Sequence, residues 1–155
     1  MFPAFSILAF CLATASGAHA CGGEVPTSCD DGDRNEARWL LDSAIKAVEH
    51  DETQALTWFS ERSHGYRTLD LYVFCIGPDN HVSAHPNAAV RGMDAAKLAD
   101  INGVPFGAAI IRDAKAGRIS DITYMWPRIE QSRPALKHTM FTRVSDQICG
   151  VGYYE

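Results

Sequence analysis

LYVFCIGPDNHVSAHPNAAVRGMDAAKLADINGVPF, residues 71–106 of a 155-residue chain, changes character several times within a few turns of backbone. The opening run is rich in aromatic and β-branched residues, which suit a pleated, half-buried surface, so residues 69–76 read as a strand. Gly77-Pro78-Asp79-Asn80 follows as a turn: proline restricts φ, and the polar side chains hydrogen-bond locally. Residues 81–84 then return as a short second strand. A His85-Pro86-Asn87 loop, a Gly92-x-Asp94 step and an Asp100-x-x-Gly103-x-x-Phe106 segment complete the stretch, with a short helix over residues 94–99.

Upstream, Asp33 opens a helical pattern. Ala37, Leu40, Leu41, Ala44, Ile45 and Val48 recur at three- and four-residue steps and form one apolar stripe. Asp51 interrupts it as the N-cap of a second helix through Ala55, Leu56, Phe59 and Ser60. Downstream, residues 105–116 fit a helix closed by Gly117, and residues 118–126 a strand ended by Pro127. Two more strands follow over 137–144 and 148–154. Helices, a hairpin, short helices and three further strands make an α+β plan built on an antiparallel meander.

The first twenty residues contain no Lys, Arg, Asp or Glu. An apolar run followed by Ala18-His19-Ala20 reads as a cleaved export signal over 1–20. The run falls short of the roughly 17–25 apolar residues that span a bilayer. Residues 21–32 form a flexible leader and 33–155 a single domain, large enough to bury its own core. Cleavage would leave Cys21 first, yet Ala18 and His19 fit a lipid-anchoring motif poorly, so a periplasmic or secreted protein is expected. The net charge of −5 and the lack of a basic stripe with interleaved aromatics argue against nucleic acid as a partner.

Beyond the signal four cysteines remain: Cys21, Cys29, Cys75 and Cys149. An even number in an exported chain favours disulfides, and four cysteines allow three connectivities. Cys21 and Cys29 flank a Gly/Pro/Ser-rich segment and are suited to closing a small loop. Cys75 and Cys149 sit in apolar runs, where buried free thiols are the alternative. No CxxC or Cys/His metal spacing occurs, so neither a metal nor a cofactor is expected.

Ala84-His85-Pro86-Asn87, Gly92-Met93-Asp94, Asp100-x-x-Gly103-x-x-Phe106, Tyr124-x-Trp126-Pro127, Lys137 and Gly150-Val151-Gly152-Tyr153-Tyr154 occur in order. Taken together, residues 33–154 resemble a single Cache domain, a PAS-like extracytoplasmic sensor. The resemblance implies a five-stranded antiparallel sheet, a long N-terminal helix along it, and short helices over the ligand face. It also implies that the first and last strands are central neighbours. Cys75 and Cys149 would then lie on adjacent strands, where a bridge forms if their Cβ atoms come within roughly 3.5–4.5 Å.

On the family pattern Tyr124, Trp126 and Lys137 line the pocket. The aromatics supply walls with one polar tip each, and the lysine suits a carboxylate. The plain alternatives are a core pair and a solvated strand lysine. Related domains commonly carry a Tyr three residues past this Lys; here the position is Met140, followed by Phe141. His85 and Arg91 are further ligand-contact candidates, while Pro86, Asn87, Gly92, Asp94, Asp100 and Gly103 are expected to brace the loops. His85 has no recognisable nucleophile beside it, so an enzyme is not expected.

The expected function is extracytoplasmic binding of a small organic anion. The chain ends at Glu155 after its last strand, so signalling would need a membrane-bound partner or a homodimer. The rival expectation is a protein-interaction or dimerisation module whose pocket is filled by its own side chains, Met140 and Phe141 among them.

Overall fold

The computed structural model describes residues 31–129 and 131–155. The expected signal segment, the leader to residue 30, Cys21 and Cys29 lie outside the described residues. Helix α1 (Arg34–His50) begins where the sequence supplies a reciprocal cap: the Asp33 carboxylate accepts the N–H groups of Asn35 and Glu36, and the Glu36 carboxylate accepts the Asp33 N–H. Asp51 serves two helices. Its N–H donates to Ala47 O at the end of α1, and its carboxylate accepts the Gln54 N–H to open α2 (Glu52–Glu61).

The strands are β1 (Arg67–Thr68), β2 (Leu71–Ile76), β3 (Val82–Ala84), β4 (Ser120–Pro127), β5 (Pro134–Val144) and β6 (Gln147–Tyr154). A 3-10 helix (Ala95–Lys97) and helix α3 (Phe106–Asp113) sit between β3 and β4. The sheet is antiparallel in the order β1-β2-β6-β5-β4, with β3 also paired to β2. The first and last long strands are thus central neighbours, and Cys75 stands opposite Cys149 and is disulfide-bonded to it.

Several boundaries differ from the sequence reading: β4 starts at Ser120 and includes Pro127, β5 begins at Pro134 rather than 137, and the short helix spans only Ala95–Lys97. The strand begun at Leu69 starts at Leu71, because Leu69 takes a left-handed φ of 54° in the turn joining β2 to the two-residue β1, which was not anticipated. Helix α3 ends at Asp113, short of residue 116. Beyond it the chain is captured by the sheet: Lys115 O accepts the Thr142 hydroxyl at 3.0 Å, and Gly117, at φ 71°, makes the following turn.

Side chains alternate between the two faces of the sheet. One face packs Leu71, Val73, Cys75, Met140, Cys149 and Val151 against Leu40, Leu41, Ala44 and Phe59 of the helices. Leu40 and Leu41 are fully buried there, each contributing about 1.5–3 kcal/mol. The other face carries Tyr72, Phe74, Ile76, Tyr124, Phe141 and Ile148 under Ala95, Phe106 and Ile110. That second layer contains the cavity.

Candidate functional site

Every residue of β2 is buried, so both its faces are apolar and its alternation is hidden in the sequence. The fold resolves it: Tyr72, Phe74 and Ile76 point to the lidded face. They meet Tyr124 and Trp126 from β4, Lys137 from β5 and His85 from the loop after β3. Together with Val90, Leu98 and Phe106 these side chains enclose a cavity of about 30 Å³, room for one or two waters. Tyr124 stacks flat on Phe106 at 3.9 Å between ring centres, and Trp126 meets the same ring edge-on at 5.2 Å.

Lys137 is the unusual member of this wall. It is 1% exposed, and its ammonium donates to the Tyr72 hydroxyl at 2.6 Å while lying 4.0 Å from the centre of that ring. Among the described residues it forms no ion pair. Burial therefore lowers its pKa to about 7, against which Asp70 pulls back from a distance. Beside it the Thr139 hydroxyl donates to the Tyr124 hydroxyl at 3.1 Å.

His85 is buried and neutral. Burial, then the nearby Lys137 charge, lowers its pKa to about 3. Its Nδ1 accepts the Asn87 N–H at 2.9 Å, so the ring hydrogen belongs on Nε2. The ring also meets Tyr72 edge-on. Asn87 in turn accepts the Ala89 N–H, which fixes the corner that Pro86 begins.

Tyr72, His85, Val90 and Trp126 also line a second, wider space of about 360 Å³, a vestibule edged by Arg62, Asn87, Arg128 and Gln131. Arg128 is paired with Asp31 and Asp70, and its guanidinium lies over the Tyr154 ring. Asp70 also accepts the Gly32 N–H at 2.8 Å, tying the start of the described chain to the vestibule. The Arg128 charge is thus compensated where that of Lys137 is not.

The fold brings Tyr124, Trp126, Lys137 and His85 together around one cavity. Arg91 is exposed and lines a separate groove with Leu56, Ser60 and Ser83, so it stands outside this wall. Asp94 caps the 3-10 helix through the Ala96 N–H. Asp100 accepts N–H groups from Met125, Asn102 and Val104, which clamps its loop to β4 and holds its carboxyl below the usual range, Met125 contributing most. Gly92 and Gly103 occupy left-handed turns at φ 78°. Met140 does not enter the cavity. Three residues past Lys137 it lies on the helix-facing side, since strand alternation places odd steps on opposite faces. Sequence reasoning overlooked Tyr72, Arg128 and Asp70; only the position of Arg128, directly after Trp126-Pro127, offered a local signal.

No family model matches this chain, and no curated protein matches it significantly. Solved structures do. A methyl-accepting chemotaxis protein from Vibrio parahaemolyticus RIMD 2210633 superposes with a TM-score of 0.62 at 17% identity, over 77% of this chain and 86% of that one. A periplasmic sensor domain of a chemotaxis protein gives 0.59 at 20% identity, over 77% and 88%. A Cache chemosensory domain described for carboxylic acid recognition gives 0.60 at 17% identity, over 77% and 91%. At these identities the likeness is one of fold, and the chain has the α+β fold of Cache sensor domains. Among the described residues no helix is long and apolar enough to cross a membrane.

Proposed function

We propose that this domain is an extracytoplasmic, non-catalytic sensing module that binds a small organic carboxylate against Lys137. The observation that carries the reading is a fully buried ammonium with a phenol for a partner and no ion pair among the described residues. A buried charge is normally paired, and a ligand carboxylate is the natural counter-ion. It would approach from the vestibule, between His85 and Trp126, which line both spaces. The fold-level likeness to a Cache chemosensory domain described for carboxylic acid recognition supports a sensing role, and the ligand class rests on Lys137. Residues 1–20 act in this reading as an export signal, and output passes to a membrane-bound partner or through a homodimer.

The size of the inner cavity favours one rival: a pocket filled by Phe106, Tyr124 and Trp126, serving protein association instead. Thermal melting against a panel of short carboxylates separates the two. A true ligand at a hundredfold excess over Kd stabilises by about 2.7 kcal/mol, and Lys137→Met abolishes the shift. A panel that moves neither protein, together with self-association in solution, favours the rival.

A further inference from the structure

Strand β6 presents two glycines, Gly150 and Gly152, on the face that looks into the cavity. The paired register explains why they matter: Lys137 stands opposite Tyr154, Thr139 opposite Gly152, and Val73 opposite Val151, which brings Tyr72 beside Gly152. To reach Tyr72 on β2 from its own place on β5, the Lys137 side chain must cross β6. It crosses over Gly152. A Cβ at that position would lie 2.2 Å from Lys137 Cε and 2.7 Å from Thr139 Oγ1, well inside van der Waals contact. At Gly150 the same role is taken by Phe74, whose ring would lie 2.7 Å from an added Cβ. The pair forms a trough across the middle strand into which neighbouring side chains lean.

We infer that Gly152 is a positioning residue of the binding site, its missing side chain being the slot that lets Lys137 reach across β6 to Tyr72. The significance of Lys137 for a ligand rests on the carboxylate reading above; the slot itself does not. Gly152 is absent from the residues with left-handed φ, so alanine meets no dihedral penalty there, and the one backbone atom near the added Cβ, His138 O at 3.1 Å, is a far milder contact than Lys137 Cε. Within a strand, glycine to alanine ordinarily raises stability by restricting the unfolded chain. A role confined to the backbone therefore predicts a harmless or stabilising substitution. The slot predicts the reverse.

The test is the titration of Lys137, followed by NMR in protein carrying 13C-labelled lysine and assigned by comparison with Lys137→Ala. In Gly152→Ala the added methyl pushes the stem toward the vestibule, and the midpoint rises toward the ordinary lysine value by about one pH unit or more as water reaches the ammonium. An unchanged midpoint overturns the inference. If Gly152→Ala fails to fold, the double variant Gly152→Ala with Lys137→Ala decides. Vacating the slot should restore folding, or cut the melting loss caused by Gly152→Ala by half or more, the remainder falling on Thr139 and the His138 carbonyl. An undiminished loss in the Lys137→Ala background overturns the inference equally. Neither readout contains a ligand, so a wild-type protein that binds no carboxylate while its titration responds to Gly152→Ala removes the proposed function and leaves the slot standing.

Discussion

The ammonium of Lys137 sits 2.6 Å from the hydroxyl of Tyr72, joining β5 to β2 across the strand between them. The consequence for stability has a definite sign. Lys137 has a folded pKa lowered to about 7 against an ordinary 10.5, so between those values the unfolded chain holds more protons. Stability must rise with pH through that window.

Between pH 7 and 9, chemical denaturation should show wild-type protein gaining about 2 kcal/mol relative to Lys137→Met. The range stops short of tyrosine ionisation in the unfolded chain, because burial raises the pKa values of Tyr72, Tyr124 and Tyr154 and their contribution runs the opposite way above pH 10. Parallel curves for the two proteins would contradict a buried, titrating lysine.

A bound carboxylate favours the charged form of that lysine, so binding and protonation are linked. Affinity should weaken by up to about tenfold per pH unit once the pH exceeds about 7. Calorimetry in buffers of differing ionisation heat should register proton uptake there. Equal heats in all buffers at pH 8 would separate the ligand from Lys137.

His85 acts at the other end of the scale. Its folded pKa of about 3 lies below the ordinary 6.5, so the stability of its neutral form is lost as pH falls from 6.5 toward 3. Between pH 6.5 and 4.5 wild type should lose about 2 kcal/mol more than His85→Gln. Identical acid profiles would mean that His85 is readily protonated in the folded protein.

Asp100 gathers three backbone N–H groups. Asp100→Ala leaves those donors without their acceptor and frees the loop from β4, which should lower the melting temperature. Hydrogen exchange should accelerate at Asn102, Val104 and Met125 while the α1 amides stay protected. Uniform acceleration across both layers would show that the clamp is not local.

Cys75 and Cys149, 74 positions apart, close a long loop. Intact mass should fall short of the reduced value by two hydrogens for this pair, and a Cys75→Ala/Cys149→Ala variant should lose about 2–4 kcal/mol. Free thiols at both positions in protein purified from an oxidising compartment would contradict the bridge.

Much of this was legible in the sequence because local chemistry enforces it. Asp33 and Asp51 announce their helices through capping alone, and the α1 stripe faces the sheet as its spacing requires. Tyr72 escaped notice because β2 is buried on both sides and shows no alternation. The end of α3 was misread because a distant strand, through Thr142 and Lys115, decides where the helix stops. Lys137 was visible as a residue type; its burial and its route over Gly152 depend on how three strands align.

That alignment is also chemically recorded. A slip of one residue between β2 and β6 would send Tyr72 to the helix side and bring Val73 beneath the lid. The disulfide lies on the opposite face from the cavity, between the same two strands, and ties position 75 to position 149. Oxidation therefore fixes which side chains the cavity receives: the bond that closes behind the sheet selects the surface presented in front of it.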